Sequence, residues 1–230
     1  MLNLGGIFSS QSPVGRTLRW FLNLLPSNAY VPIVQGPARG YRWRIGSSVH
    51  SCWLGCYEAE VVREALLHLP PPGVAYDLGA NAGYYTLVLT KRMTHVYSFE
   101  PVPLELSRHV ERNHLESRVT VVAAAVSDVS GDGWLTAGDA PERHLASSGA
   151  LRVRMVALDD MDLPDPCFVK MDIEGSEAKA LRGMRERLRR AHPVLLIAIH
   201  SDALRAEVLQ QLYEYSYHIA WVQPDTLLAT

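Results

Sequence analysis

From Val74 onward, the chain alternates short apolar runs with longer stretches whose apolar residues repeat at helical spacing. The short runs predict strands near residues 74–78, 94–99, 119–126, 167–172, 194–200 and 217–222. The longer stretches predict helices over residues 82–92, 102–115, 175–190 and 202–214. Residues 128–160 interrupt the alternation, with two further predicted strands around a loop at 137–149. The overall pattern predicts an α/β fold with a mostly parallel sheet and helices on both faces.

The segment before this alternation has a different character. Residues 15–26 place their apolar side chains on one face of a predicted helix. Two β-like runs then flank the turn-rich residues 35–40, which is typical of a hairpin. We therefore predict an N-terminal helix and hairpin arm over residues 1–56, followed by a ligand-binding domain over residues 57–230.

Composition narrows the classes of protein that this chain can belong to. Of the 230 residues, 48% are hydrophobic and 20% are charged, which is typical of a globular protein. The formal net charge of −2 gives no basic field for a nucleic-acid partner. Three cysteines without a disulfide framework fit a reducing compartment, so we expect a cytoplasmic location. No apolar run approaches the ~20 residues of a membrane span, and the arm helix is expected to dock on the protein or to pair two chains in a homodimer.

The sequence YDLGANAGYYT, residues 76–86, joins the first predicted strand to the next helix. A glycine turn between a strand and a helix lets a ligand approach the backbone closely. A dinucleotide fingerprint has two glycines two residues apart, whereas Gly79 and Gly83 are four apart with Asn81 between them. Asp77, just before the turn, would repel a diphosphate and attract an ammonium group. The loop therefore favours a cationic ligand over a dinucleotide.

Glu100 ends the second predicted strand, 21 residues after Gly79. An acid at this place accepts hydrogen bonds from the hydroxyls of a ribose. The expected ligand thus combines a ribose with a positively charged tail and has no phosphates. S-adenosylmethionine meets this description.

Four sequence blocks resemble, in order and with suitable gaps, the FkbM-type S-adenosylmethionine-dependent methyltransferases. The blocks are YDLGANAGYYT, SFEPVPLELSRHVERN, LDDM and VKMDIEGSEAKALRGM, and the resemblance runs from about Gly55 to His200. It implies a class I methyltransferase, with a Rossmann-like, seven-stranded type of sheet. It also implies that the first block holds the methionine part of the cofactor and that the acid of the second block holds the ribose. The implied cofactor-binding residues are Asp77, Gly79, Asn81, Gly83, Glu100 and the adjacent Pro101.

Further cofactor contacts are less specific. The sequence WLGCYEAE resembles the Gly-x-Tyr-Glu start of the family's domain, so that Tyr57 and Glu58 either close over the cofactor or cap a helix. Many methyltransferases end the third strand with an acid that meets the adenine amine, and this chain has Val126 in that region. The backbone at Val126, or the side chains of Ser127 and Asp128, are the candidates for that contact.

The candidate catalytic residues lie at the ends of the fourth and fifth strands. Asp172 ends the fourth strand, Glu174 follows it, and His200 ends the fifth strand. Ligands of open α/β sheets bind outside the carboxyl ends of the strands, so these three side chains are expected to surround the methyl acceptor, with Asp172 also near the cofactor. Methyl transfer from a sulfonium needs mainly alignment of the reactants, but an alcohol must also lose its proton. His200, with an ordinary pKa near 6.5, is the candidate general base.

Two neighbouring residues are expected to support this site. Lys170 alternates to the same side of its strand as Asp172 and is expected to pair with an acid there. Glu177 is expected to stabilise the N-terminus of the following helix.

A divalent metal is the alternative means of acidifying the acceptor. Asp172, Glu174 and Asp202 offer the carboxylate oxygens that Mg²⁺ prefers. Related sequences often carry an acid two residues before the histidine of the fifth strand, and here that residue is Ala198. We favour the metal-free route for this reason and assign no metal ligand.

The sequence thus predicts an S-adenosylmethionine-dependent methyltransferase that O-methylates a hydroxyl on a small natural product or sugar. The alternatives are transfer to a nitrogen or to a macromolecule, and a catalytically silent partner protein that only binds S-adenosylmethionine. A nucleic-acid acceptor is not expected, because the basic cluster at 185–192 lies at a helix C-terminus, where cations suit the helix dipole.

Overall fold

A computed structural model describes residues 22, 24–138, 144–146 and 148–230. Its strands are β1 Tyr30–Pro32, β2 Arg42–Arg44, β3 Val74–Leu78, β4 His95–Phe99, β5 Val119–Val122, β6 Ala125–Val126, β7 Gly131–Leu135, β8 Leu145–Ala146, β9 Leu151–Val156, β10 Phe168–Met171, β11 Val194–Ala198, β12 Ile219–Gln223 and β13 Thr226–Ala229. Its α-helices are α1 His50–Leu54, α2 Ala59–Leu67, α3 Tyr84–Leu89, α4 Leu104–Arg112, α5 Glu177–Arg182, α6 Arg185–Ala191 and α7 Asp202–Glu214. Short 3-10 helices span Ile45–Ser47 and Leu158–Asp160.

The main sheet has seven strands in the order β12-β13-β11-β10-β3-β4-β5. All its neighbouring pairs are parallel except those of β13, which runs antiparallel to β11 and to β12. The central strand β10 is buried along its whole length, which explains its nearly continuous apolar sequence. These observations confirm the predicted α/β fold with a mostly parallel sheet, and they bring the carboxyl ends of β3, β4, β10 and β11 to one edge.

The structure differs from the predicted elements in three places. Residues 119–126 do not form one strand, because β6 leaves the main sheet and pairs with β9 in a second, four-stranded sheet of order β6-β9-β7-β8. Strand β13 was not predicted. The predicted helix over 175–190 is divided into α5 and α6 at Gly183, where a Cβ would lie 2.0 Å from the carbonyl oxygen of Ser127. The second sheet extends the carboxyl edge of β4 and β5 and adds a wall to it.

The described part of the arm packs directly on the domain. Strands β1 and β2 form the predicted antiparallel hairpin. The Trp43 ring stacks on His109 of α4 with 4.1 Å between the ring centroids, and the backbone N–H of Arg44 donates to His109 Nε2 at 2.9 Å. Trp43 belongs to the same hydrophobic cluster as residues of α2 and α3. The predicted helix over 15–26 lies mostly outside the described residues.

None of the helices in the described ranges is long and apolar enough to cross a bilayer.

Candidate active site

Two cavities meet at the carboxyl edge of the main sheet. The first cavity, of about 290 Å³, lies over β4 and the second sheet, and the second cavity, of about 300 Å³, lies over β3, β10 and β11. Gly79, Asn81, Asp172 and Glu174 line both of them. The two cavities therefore form one continuous crevice, with the loop after β3 and the end of β10 at its centre.

The loop after β3 depends on residues that adopt positive φ angles. Gly79 has a φ of +75°, and a Cβ there would lie 1.8 Å from the carbonyl oxygen of Asp172. Gly83 has a φ of +93°, and a Cβ there would lie 2.7 Å from Leu106 Cδ1. Asn81 also has a positive φ, a conformation that asparagine tolerates better than most residues. These residues let the loop pack against the end of β10 and keep the floor of the crevice open.

Glu100 follows β4 and connects the loop to the first cavity. Its Oε2 accepts a hydrogen bond from the backbone N–H of Asn81 at 2.9 Å, and its Oε1 accepts one from that of Val102 at 3.0 Å. Burial raises the pKa of the Glu100 carboxyl, and the two N–H donors oppose this rise. Because each carboxylate oxygen can accept more than one hydrogen bond, Glu100 can still accept from a ligand that occupies the cavity.

The remainder of the first cavity is largely apolar. Pro101 and Val126 line it as expected from the sequence, together with Leu135, Leu145 and Ile173. An apolar slot beside a buried carboxylate suits a flat base attached to a sugar.

Two of the adenine candidates face away from the first cavity. Ser127 is buried outside the lining of both cavities, and its hydroxyl bonds Asp128, which pairs with Arg182. The structure therefore brings Val126, but neither Ser127 nor Asp128, to the cavity wall.

Tyr57 and Glu58 line the second cavity. The Tyr85 hydroxyl donates to Glu58 Oε2 at 2.7 Å, and the Tyr57 ring meets the Tyr84 ring edge-on at 5.3 Å between centroids. Glu58 has a φ of 43°, a left-handed conformation that costs energy for a residue with a side chain. Its side chain does not cap α2. The carboxylate of Glu58 is thereby directed to the crevice.

Asp77 lies behind the crevice wall. Its side chain is fully buried, its Oδ2 accepts from the Thr86 hydroxyl at 2.6 Å, and its Oδ1 lies 3.6 Å from Lys170 Nζ. Burial raises the pKa of Asp77, and Lys170 opposes that rise. Lys170 also lies 3.5 Å from Asp172 Oδ2 and donates to the carbonyl oxygen of Gly79 at 3.0 Å. Asp77 thus fixes Lys170 and does not line the cavity, whereas Glu58 does.

His200 lies among three carboxylates. Its Nε2 is 3.3 Å from Asp172 Oδ1 and 3.4 Å from Glu174 Oε2, and its Nδ1 is 2.8 Å from Glu177 Oε1. Carboxylates accept hydrogen bonds, so a histidine that contacts them through both nitrogens carries hydrogen on both. The bonds to Asp172 and Glu177 raise the pKa of His200 to about 10. His200 is therefore an imidazolium at neutral pH and has no lone pair with which to accept a proton.

The two acids beside His200 have different properties. Burial acts to raise the pKa of Asp172, but Lys170 and His200 outweigh burial and lower it to about 2. Burial raises the pKa of Glu174, with a further contribution from Asp172, while His200 opposes the rise. Glu174 has a φ of 52°, which directs a residue of the loop after β10 into the region where both cavities meet. Glu174 is consequently the stronger base of the two.

Sequence reasoning missed the contact between Glu177 and His200. Glu177 is fully buried, and besides His200 its Oε1 bonds the N–H groups of Ile173 and Gly175, just before α5. The expected role at the helix start is thus accompanied by a second one, which is to hold His200. An acid that follows Asp172-x-Glu174 at the start of a helix was the available signal, but its partner lies 23 residues away in the chain.

The ligand atoms of Asp172, Glu174 and His200 lie within 4.8 Å of one another, a spacing at which three side chains can share one ion. In the described state His200 Nε2 lies between the two carboxylates, 3.3 Å from Asp172 Oδ1 and 3.4 Å from Glu174 Oε2.

The chain is similar to known methyltransferases. The family profile described as the methyltransferase FkbM domain matches residues 77–219. A hexuronic acid methyltransferase, AglP of Haloferax volcanii, is 25% identical over 166 residues, which are 68% of this chain and 68% of that protein.

Solved structures support the fold. The methyltransferase FkbM of Methylobacillus flagellatus KT superimposes with a TM-score of 0.54 at 23% identity, over 73% of this chain and 45% of that one. The ribosomal protein L11 methylase of Lactobacillus delbrueckii subsp. bulgaricus gives a TM-score of 0.50 at 9% identity, over 79% and 78% of the two chains. The class I methyltransferase fold and the family resemblance expected from the sequence are thereby confirmed. Since the profile spans more than half of the chain, from the loop after β3 to β12, this chain belongs to the FkbM family of methyltransferases.

Proposed function

We propose that this methyltransferase uses S-adenosylmethionine to methylate a hydroxyl on a small natural product or sugar. The observation that carries the proposal is the continuous crevice, which has a ribose-type acid in its first cavity and an Asp–Glu–His cluster where the two cavities meet. The hexuronic acid methyltransferase from Haloferax volcanii acts on a sugar derivative, which supports a sugar as one class of acceptor.

We place the cofactor along the first cavity and the adjoining part of the second. The first cavity would take the adenosine, with its base between Val126 and Ile173 and its ribose hydroxyls on Glu100. The methionine tail would run along Gly79 and Asn81, with its ammonium group toward Glu58. In this assignment Asp77 acts through Lys170 rather than by touching the cofactor. The sulfonium would then lie beside Asp172, where the two cavities join.

Bound in this way, S-adenosylmethionine supplies an electrophilic methyl group and a neutral leaving group. The chain's own residues orient the acceptor and take its proton. The acceptor oxygen forms a bond to the methyl carbon while the carbon–sulfur bond breaks and its electron pair stays on sulfur. We assign the hydroxyl proton to Glu174, because His200 is already protonated and Lys170 and His200 stabilise Asp172 as an anion. The imidazolium of His200, fixed by Glu177, holds the two acids in place.

Binding and transfer experiments test this proposal separately. Isothermal calorimetry should show that S-adenosylmethionine and S-adenosylhomocysteine bind and that NAD does not, because the loop after β3 lacks the closely spaced glycines of a pyrophosphate site. A transfer assay with a methyl-labelled cofactor and a panel of sugars should then give an O-methylated product, identified by mass spectrometry and NMR. Binding of NAD without binding of S-adenosylhomocysteine would contradict the cofactor assignment. Binding of S-adenosylhomocysteine with a labelled nitrogen product would contradict only the O-methylation.

A further inference from the structure

We propose that the methyl acceptor carries no negative charge near the reacting hydroxyl, so that this enzyme takes a neutral sugar-like ring and rejects the corresponding uronate. The inference rests on the proposed function and specifies the charge of the acceptor. It separates this chain from the hexuronic acid methyltransferase that it resembles.

The walls of the second cavity are acidic. Four carboxylates line it: those of Glu58, Asp172, Glu174 and Asp225. Two of these, Glu58 and Asp225, have no ion pair among the residues that the structure describes. Asp225 lies in the turn between β12 and β13, where its carbonyl oxygen accepts from the N–H of Ile199 at 2.8 Å, and it is exposed. The second cavity therefore contains a free negative charge of its own.

The two cations of the second cavity are both already paired. Lys170 is almost completely buried and lies between Asp77 and Asp172. His200 lies between Asp172, Glu174 and Glu177. Asp77 and Glu177 are themselves buried behind the cavity wall, so these cations also compensate carboxylates that the acceptor does not meet. Among the described lining residues, no arginine or lysine is available to bind a substrate carboxylate.

Bound cofactor would not reverse this balance. Its sulfonium and ammonium groups are positive and its carboxylate is negative, which leaves one net positive charge against the acids of the crevice. The ammonium group would lie toward Glu58 and the sulfonium beside Asp172, which leaves Asp225 as a further acid of the same cavity. An acceptor carboxylate would meet the half-buried acids Asp172 and Glu174 as well as the exposed Asp225, and like charges in a partly buried cleft oppose binding.

The uncharged lining residues fit a ring with several hydroxyls. Ser48 and Gln223 offer hydrogen-bond donors and acceptors without charge, and the partly exposed ring of Tyr57 contributes an aromatic wall. An aromatic wall together with neutral polar groups suits a sugar ring, whose C–H face is apolar and whose edges are polar. These residues give the acceptor hydrogen bonds but no charge to balance a carboxylate.

A thiol probe measures the charge of the cavity without knowledge of the acceptor. We would place a cysteine at Gln223, which lines the cavity at the end of β12, and a control cysteine at Ala220, which is exposed on the same strand. Each variant reacts with a trimethylammonium-ethyl and with a sulfonatoethyl methanethiosulfonate, and the wild type corrects for its three free cysteines. We expect the ratio of the cationic to the anionic rate to be about tenfold or more higher for Gln223→Cys than for Ala220→Cys. An equal or lower ratio would overturn the inference.

A matched pair of acceptors provides the second test. Methyl glucoside and methyl glucuronide share one ring and differ in the carboxylate, and transfer from labelled cofactor is measured for both. We expect the glucoside to be methylated at least about tenfold faster than the glucuronide at equal concentration. Asp225→Asn should reduce this ratio of rates. A preference for the glucuronide would overturn the inference and leave the proposed O-methyltransferase intact. Binding of S-adenosylhomocysteine without transfer to either sugar would remove sugars from the proposed function, and the thiol ratio would still decide the charge of the cavity.

Discussion

Replacement of His200 by glutamine should destabilise the protein in a pH-dependent manner. The imidazolium lies between Asp172, Glu174 and Glu177, and these partners raise its pKa from 6.5 to about 10. A tenfold change in a protonation constant is worth about 1.4 kcal/mol, so the rise corresponds to at most about 5 kcal/mol. Solvent reaches 30% of the side chain and screens the ion pairs, which reduces the expected effect to about 2–3 kcal/mol.

The sign of the pH dependence follows from the direction of the shift. A group whose folded pKa is raised stabilises the native state fully below its unfolded pKa, here about 6.5, and loses that contribution as the pH rises through the folded pKa. The difference in unfolding free energy between the wild type and His200→Gln should therefore be constant below about pH 6. It should decrease steadily from about pH 6.5 toward pH 10.

Two measurements of the ligand-free protein check this expectation. Urea unfolding at pH 5.5, 7, 8 and 9 gives the difference in stability, with His68→Gln as a control because His68 lies at the exposed end of α2. NMR titration of the imidazole C–H signals gives the pKa directly. Among the signals of the nine histidines, the one that His200→Gln lacks belongs to His200. A midpoint near 6.5 together with a pH-independent stability difference would refute the reasoning and restore His200 as a candidate base.

Four further predictions concern the crevice. Glu100→Ala should weaken S-adenosylhomocysteine binding by about 1–3 kcal/mol in calorimetry, with a smaller loss for Glu100→Gln. An unchanged dissociation constant would show that the ribose binds at another residue. Asp172→Ala should abolish turnover while circular dichroism shows an intact fold, whereas near-normal turnover would place the acceptor at another strand end. Glu174→Gln should lower kcat by about 10²–10⁴-fold. The rate of the wild type should decline as the pH falls through the raised pKa of Glu174, and the variant should lack this decline. A variant that kept the decline at acidic pH would exclude Glu174 as the base. Treatment with EDTA should leave the rate unchanged, and a loss of activity that Mg²⁺ restores would assign the acid cluster to a metal.

Much of the fold was predictable because local pattern and tertiary environment agree in it. The apolar runs that became β3, β4, β10 and β11 are largely buried and only four or five residues long, and such short apolar runs between turn residues indicate strands. The sequence of residues 119–126 is equally compatible with one strand. The separation of β6 from the main sheet depends on its pairing with β9, about 30 residues later. The break at Gly183 depends on the close approach of Ser127, which only the folded chain shows.

The candidate site, like the fold, has features that the sequence predicts and features that only the folded chain shows. The residues of the crevice followed from strand ends and glycine spacing, which are local signals. The protonation of His200 did not, because its pKa depends on three carboxylates of another segment of the chain, residues 172–177. Burial likewise separates Asp77 from Glu58, since only the folded structure shows which of these acids lines the cavity.

The position of Lys170 has a consequence for variation within the family. This side chain connects Asp77 on β3, Asp172 on β10 and the carbonyl oxygen of Gly79, so one buried cation is shared by the cofactor side and the acceptor side of the enzyme. A homologue with an apolar residue at this place would leave the buried Asp77 without a counterion and Asp172 with His200 alone, at a cost of several kcal/mol. The three positions should therefore covary, and a laboratory redesign of the acceptor side that replaces Asp172 would have to change Lys170 and Asp77 as well.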